Sequence, residues 1–275
     1  MSVPPATNPA EPFLAGNKLE GRVAFVTGGT RGIGAAISRS LASQGAVVAA
    51  GYSKNAEGAE RFRSGLEALG ATPSIHQGNV GSAQDCRRTV KEVIDHHGRL
   101  DILVNNAGIT ADARIMKMTA EDWYTVLAVN LSGAFFCSQA ALGHMLERGS
   151  GRIVNISSLA GQSGNIGQSN YAASKSGMFG LTKTMALEVA STLAREDRLS
   201  EFGAGLTVNC VAPGYTTTDM VADVPEKVLE RVAASIPLKR LGRPDEIARV
   251  VHFLCADASG YITGQVWGVN GGLEM

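Results

Sequence analysis

From residue 22 onward, short apolar runs alternate with longer stretches of mixed polarity. The runs fall at 22–27, 46–51, 73–77, 101–105, 152–157, 206–212 and 265–269, each of strand length. Ile102-Leu103-Val104 and Ile153-Val154-Asn155-Ile156 are nearly unbroken aliphatic runs. Such runs belong to strands covered on both faces, as in a parallel sheet. Between them, 33–44, 55–69, 82–97, 119–148, 169–200 and 243–256 space their apolar residues as helices do. Alternation of this kind along the whole chain predicts an α/β fold: one doubly wound parallel sheet of about seven strands, in a single domain over 17–275. No repeat and no shift of composition marks a second domain. Residues 1–16, MSVPPATNPAEPFLAG, read as a disordered Pro/Ala tail.

Charge narrows the function. Lys+Arg and Asp+Glu are 25 each, so the net charge is zero, which argues against a nucleic-acid binder with its basic face. The four cysteines form no CxxC motif; reduced, buried thiols are expected rather than a zinc or disulfide framework. The five histidines are read as structural or exposed, with no metal role. No apolar run reaches the ~18 residues of a membrane span. The N-terminus has neither a basic segment followed by an apolar one nor an arginine, so it does not read as a targeting signal. A cytoplasmic enzyme without membrane contact is the expectation.

Glycine, 33 of 275 residues, concentrates at strand ends: Gly28, Gly108, Gly161, Gly214 and Gly271. Ligands of open α/β sheets bind outside the carboxyl ends of the strands. The first strand runs into Gly28-Gly29-Thr30-Arg31-Gly32-Ile33-Gly34 and then a helix. Strand, glycine-rich turn and helix together make a Rossmann-like dinucleotide loop. Gly28 allows the turn, Gly32 admits a pyrophosphate, and Gly34 lets helix and strand pack closely. An NAD site places an acid about 20 residues on, but the second strand here ends Gly51-Tyr52-Ser53-Lys54-Asn55, with Glu57 the first acid. Arg31, Ser53 and Lys54 are candidates to receive a 2′-phosphate instead, which favours NADP(H); solvated loop charge is the alternative for each.

Tyr171 and Lys175 stand at i and i+4 on one predicted helix face. A nearby ammonium favours the phenolate, which would make Tyr171 a general acid/base. Ser158 as a hydrolase nucleophile is disfavoured, because Gly-x-Ser-x-Gly is absent around it.

With these residues in place, the chain from about Leu19 to Met275 resembles the short-chain dehydrogenase/reductase family. The matching segments are TGGTRGIG at 27–34, NNAG at 105–108, Asn130, NISS at 155–158, YAASK at 171–175 and Pro213-Gly214. The resemblance implies an NADPH-dependent oxidoreductase with a catalytic set of Asn130, Ser158, Tyr171 and Lys175. Ser158 would hold the substrate carbonyl and Tyr171 pass the proton. Lys175 would bind the nicotinamide ribose and depress the Tyr171 pKa, and Asn130, at a helix break, would position a water. The loop Gly28, Thr30, Arg31, Gly32, Ile33 and Gly34 would hold the cofactor together with Ser53 and Lys54. Asn79 and Val80 would flank the adenine, Asn105 would brace the central strands, and Ala107 and Gly108 would line the cleft. Pro213, Gly214, Thr216 and Thr218 would meet the nicotinamide and phosphates.

Within the family, GQSGNIGQSNY at 161–171 and APGYTTTDM at 212–220 most resemble reductases of 3-oxoacyl thioesters, linked to acyl-carrier protein or to CoA. Such enzymes serve fatty-acid biosynthesis. Asn165, Gln168 and Tyr215 become substrate candidates, and an aliphatic residue at Ile166, where the CoA enzymes carry an aromatic, favours the carrier-protein reading. Another ketone or alcohol oxidoreductase, or a non-catalytic cofactor-binding protein, are the alternatives. The resemblance also implies a homotetramer built through the long helices and the C-terminal region. Arg114 and Lys117, and less favourably Arg148 and Arg152, are candidates to dock an acidic carrier. The connection at 192–206 is longer than usual and charged; it is expected to extend the helix far from the chemistry.

Overall fold

A computed structural model describes residues 18–199, 205–218 and 225–275. The tail assigned to 1–16 lies outside them, as do Asp219 and Met220 and most of the long connection's second half. Among the described residues seven strands form one sheet: β1 Val23–Val26, β2 Val47–Tyr52, β3 Pro73–Gln77, β4 Ile102–Asn105, β5 Gly151–Ile156, β6 Leu206–Pro213 and β7 Val266–Val269. Their order is β3-β2-β1-β4-β5-β6-β7, and every pairing is parallel. The order reverses between β1 and β4, so a crevice opens there at the carboxyl ends.

Period-two alternation decides which side chain enters which layer. Ala24, Val26, Ile102, Val104, Val154 and Ile156 face α1 (Gly32–Ala42) and α9 (Pro244–Cys255). Val23, Phe25, Leu103 and Ile153 face the opposite layer. That layer is made by α3 (Ala83–His97), α5 (Gly133–Arg148) and α7 (Ser169–Arg195). Phe62 and Leu66 of α2 (Ala56–Glu67) pack with Ala35 and Ala50 beside the first layer. A fully buried aliphatic side chain stabilises by about 1.5–3 kcal/mol; a one-residue slip of a central strand would exchange its two faces and mismatch the packing of both layers at once.

The long helix expected over 119–148, with a break at Asn130, is three pieces. α4 (Ala120–Leu127) and α5 are joined by a π-helical turn at Ala128–Ser132. By length and composition the combined helix could span a membrane; here Cys137, Ala141 and Met145 bury one of its faces in the core. The helix expected over 169–200 stops at Arg195. Asp197 adopts φ +51°, and the Arg198 N–H turns back to the Leu193 carbonyl, a left-handed C-terminal cap. The Arg198 guanidinium then reaches the Glu147 carbonyl at the end of α5, tying the start of the long connection to the edge opposite the carboxyl rim. Two helices were not expected: α6 (Ala160–Ser163) and α8 (Glu226–Ser235).

The amino-terminal edge of the sheet carries an ion-pair cluster. Asp101 is buried and receives Arg99 through two bonds of 2.7 and 2.6 Å. It also accepts the Val23 N–H at 2.8 Å, with Arg22 and Arg148 at 3.7 and 3.5 Å. Asp257 receives both Arg22 bonds and lies 3.6 Å from Arg152. Arg152 is buried, and Arg148, though exposed, pairs at this amino-terminal edge; both lie opposite the carboxyl rim, which disfavours them as carrier-docking candidates.

Candidate active site

The loop after β1 needs its glycines for distinct reasons. Gly28 and Gly32 take φ of +61° and +52°, a region costly for a residue with a Cβ. A Cβ on Gly34 would lie 2.2 Å from the Gly28 carbonyl oxygen, so only glycine lets α1 begin this close to the turn. Above Gly32 the nearest atoms to a Cβ belong to Thr218, at 3.8 Å or more. Thr30 is half-buried, and Ile33 turns its side chain into the core. No side chain caps α1 and its first turn holds no acid, whereas Asn55, Ser82 and Thr119 cap α2, α3 and α4. An α1 with free leading N–H groups behind a glycine cradle suits a phosphate.

Ser53 and Lys54, past β2, are exposed, as is Arg31. Asn55 is occupied as the cap of α2, accepting the Gly58 N–H at 2.8 Å. Glu57 pairs with Arg61 one turn along α2. Past the end of β2 an exposed Lys54 thus stands beside an acid already paired elsewhere. Past β3, the Asn79 side chain accepts the Gly81 N–H, while its backbone N–H bonds Asp85. That bond and Arg88 hold the Asp85 carboxyl below its usual range.

At the end of β4 the neighbouring asparagines part. Asn105 donates to Ser138 and Asn155 at 2.9 and 2.8 Å, bracing β4 and β5 from inside the helix layer. Asn106 instead donates to the Thr27 and Gly28 carbonyls, and Thr27 Oγ1 accepts the Asn106 and Ala107 N–H groups. This clasp holds Ala107 and Gly108 against the glycine loop. A Cβ on Gly108 would lie 3.4 Å from Asn130 Oδ1 and 3.5 Å from Lys175 Nζ. Asn130 sits buried in the π-helical turn. Its amide exchanges two bonds with the backbone of Ile109 and donates to Ser174 at 3.1 Å.

α7 carries Tyr171, Ser174 and Lys175 on one side. Lys175 Nζ lies 5.6 Å from the Tyr171 ring centre and donates to the Ile156 carbonyl at 2.7 Å. The ammonium is only 3% exposed, and among the described residues no carboxylate forms a salt bridge with it. Burial pushes its pKa down to about 8. Ser158 hydrogen-bonds the Tyr171 hydroxyl. Burial raises the phenol's pKa, opposed by that bond and aided by Asp112. The expected depression by Lys175 is not what this arrangement produces: desolvation dominates, and the phenol holds its proton.

Toward the substrate side, Asn165 donates to Gln168 and Gln168 to Asp112, both at 2.9 Å. Pro213 ends β6, and a Cβ on Gly214 would meet Asn270 at 2.7 Å. Tyr215 is half-buried, and Thr216 is buried, donating to the Gly214 carbonyl.

A family model described as enoyl-(acyl carrier protein) reductase matches residues 28–274. The chain belongs to the short-chain dehydrogenase/reductase family. It is 48% identical over 252 residues to an acetoacetyl-CoA reductase of Rhizobium meliloti, covering 91% of this chain and 98% of that one. An acetoacetyl-CoA reductase of Shinella zoogloeoides is 45% identical, with the same shares. A 3-oxoacyl-[acyl-carrier-protein] reductase of Thermotoga maritima is 42% identical over 258 residues, 94% and 100% of the two chains.

In this short-chain dehydrogenase/reductase, Ser158, Tyr171, Lys175 and Asn130 lie around one crevice, with Gly108 between the last two. Asn105 and Ile33 stand behind it, supporting rather than lining. Sequence reasoning passed over Thr27, Asn106, Asp112, Asn170 and Ser174, all polar and all bonded into the site. Asn170 donates to the Ala111 and Asp122 carbonyls, fixing the loop after β4 to the start of α7. A polar residue beside each recognised one was the signal; which of two adjacent asparagines faces the cleft was not in the spacing.

Proposed function

We propose that the chain reduces 3-oxoacyl thioesters to 3-hydroxyacyl thioesters with NADPH. The observation that carries this reading is the hydroxyl pair: Ser158 bonded to a Tyr171 whose phenol keeps its proton, beside the buried Lys175. Two donors converging on one point suit an oxygen that gains negative charge as a ketone is reduced. The glycine loop and the uncapped start of α1 would hold the pyrophosphate, and Arg31, Ser53 and Lys54 the 2′-phosphate. Asn79 and Val80 would flank the adenine, and Thr216 and Thr218 the nicotinamide end. When bound, the reduced nicotinamide supplies the hydride.

The protein's own residues handle the proton. Ser158 Oγ donates a hydrogen bond to the carbonyl oxygen and Tyr171 Oη delivers its proton to the developing alkoxide. A raised phenol pKa suits this direction, because the acid must be loaded before each turnover. The buried Lys175 ammonium, beside the Tyr171 ring, would hold the nicotinamide ribose when the cofactor is bound and offset the negative charge the phenol takes on as its proton leaves. Both Asn130 amide protons are already bonded, so a water on the proton path would use a backbone carbonyl freed by the π-helical turn. Asn165, Gln168 and Tyr215 would orient the thioester. A cytoplasmic homotetramer remains part of this reading.

The family description favours one second reading, reduction of an enoyl thioester. Steady-state turnover of acetoacetyl-CoA and crotonyl-CoA, each with NADPH and NADH, separates the readings. Oxidation of NADPH with acetoacetyl-CoA is expected; turnover of crotonyl-CoA alone would replace the proposal with the second reading. The carrier is tested on exposed Arg114 and Lys117. Reversing both to Glu should slow turnover of 3-oxoacyl-carrier protein in a salt-dependent way and spare acetoacetyl-CoA. No loss on either substrate would favour CoA.

A further inference from the structure

The chemistry above uses none of the four cysteines. Two of them face each other. Cys86 lies in the first turns of α3 and Cys137 in α5; they are 1% and 0% exposed and share one apolar cluster. Cys210 and Cys255 lie in two other clusters. The Cys86 thiol donates to the Val80 carbonyl at 3.2 Å and lies 3.9 Å from the Gly133 carbonyl. Gly133 stands four residues before Cys137, so its carbonyl is the helical acceptor of the Cys137 N–H. The Cys137 thiol in turn hydrogen-bonds Cys86. The result is a relay from sulfur to sulfur to the backbone of the Asn79–Val80 turn.

We propose that Cys86 and Cys137 are a site of reversible oxidative modification, closing to a disulfide in the presence of a hydroperoxide. Cys86 is the attacking sulfur: the Cys137 thiol donates to it, which favours its thiolate, and it lies under the half-exposed turn at 79–83. Its thiolate attacks hydrogen peroxide; an S–O bond forms, the O–O bond breaks, and water leaves after taking a proton. Cys137 then attacks the Cys86 sulfur; the S–S bond forms, the S–O bond breaks, and the Cys137 proton leaves with the second water. Two thiols lose two electrons, and one peroxide is reduced to two waters.

A disulfide needs the sulfurs about 2.05 Å apart, closer than a thiol–thiol hydrogen bond. Closure therefore draws α3 toward α5 and removes the Cys86 proton that bonds Val80. The space to absorb this is small, because a Cβ on Gly133 would already lie 2.7 Å from the Val80 oxygen. The Asn79–Val80 turn must shift, and nucleotide affinity falls with it. That last link rests on the cofactor reading above; the disulfide itself does not.

The test uses the full chain, treated folded with hydrogen peroxide, alkylated, and mapped without reduction. A peptide linking Cys86 to Cys137 is expected, with the NADPH Kd raised roughly tenfold, within the usual range of coupling between sites, and restored by dithiothreitol. Cys137→Ser, with Cys137→Ala as a second variant if serine packs poorly, should bind NADPH as the reduced wild type does and lose the response. Both thiols remaining free to alkylate after treatment, or linking only once the protein is denatured, would overturn the site. A linked protein with unchanged NADPH Kd would overturn the coupling to the nucleotide turn. If untreated protein fails to bind NADPH, the cofactor reading fails, and the linked peptide still decides the disulfide.

Discussion

A buried cation sits at each end of β5. Arg152, at the amino end, is as inaccessible as Lys175, which bonds the last carbonyl of the strand. Both lose proton affinity to desolvation. Arg152 is answered by Asp257 at 3.6 Å and by the Gly151 and Gly205 carbonyls at 2.8 Å. Lys175 is answered by one carbonyl. At the amino edge the cations are paired with carboxylates and scaffold the sheet, although Arg152 Nε and Nη2 have no hydrogen-bond partner among the described residues. At the carboxyl rim a cation, two hydroxyls and an uncapped helix are held by the same sheet with their valences open. Leaving a buried charge unpaired is costly, so its presence at one end only marks where a ligand's charge completes the set.

The largest test of that contrast is chemical. Tyr171→Phe keeps the ring and removes the acid; acetoacetyl-CoA reduction is expected to fall about 10³-fold with NADPH binding, read by fluorescence titration, nearly intact. Near-wild-type turnover would sink the assignment. At the other end, Asp101→Ala strips the shared carboxylate from Arg22, Arg99 and Arg148. Unfolding free energy should drop by about 3–5 kcal/mol, measured by denaturant titration, with kcat little changed in the protein that folds.

Lys175→Met sharpens the comparison by separating catalysis from stability. Catalytic efficiency should fall roughly 100-fold with weaker NADPH binding, yet unfolding free energy should hold or rise. The pH dependence gives a second readout. The folded pKa of Lys175 is about 8, below the ordinary 10.5, so the unfolded chain binds more protons between those values. Stability contributed by this group therefore rises as pH goes from 8 to 10.5, and the methionine variant should lack that rise. The smallest effect belongs to the exposed pair. Arg31→Ala with Lys54→Ala should raise the NADPH KM about tenfold, since exposed contacts are worth at most about 1 kcal/mol each, and leave the NADH KM almost unmoved. A wild-type preference for NADH would contradict the reading of Gly51–Asn55.

Much of this was legible in the chain. All seven strands fall within two residues of their expected bounds: the five inner ones are nearly continuous buried runs, whereas the half-exposed edge strands β3 and β7 were legible from their place in the strand–helix alternation. The glycine loop and the Tyr171–Lys175 spacing were equally plain, since backbone clearance and helix geometry leave few residue choices. The helix break at Ala128–Ser132 was not visible as a π-helical turn: AVNLS carries no glycine or proline, and one extra residue in a turn leaves no compositional trace. α8 escaped for the opposite reason. None of its residues is buried, so no core-facing stripe had to be written into it. The direction of the Tyr171 shift was also beyond the sequence, because spacing shows which charge is near but not how much water is missing.

That unburied α8 is moored by the three residues at its carboxyl end. Ile236 is almost fully inaccessible, Leu238 donates to the Gly271 carbonyl, and Gly271 and Gly272 lie against Ile236 and Pro237 so closely that a Cβ on either would crowd them. Among the described residues the helix is thus anchored to the scaffold through its carboxyl end. Exchanging 226–235 for another sequence of equal helix propensity, with Ile236–Leu238 and the glycine pair left in place, would leave the buried core untouched. That stretch can therefore vary in sequence at little cost to folding.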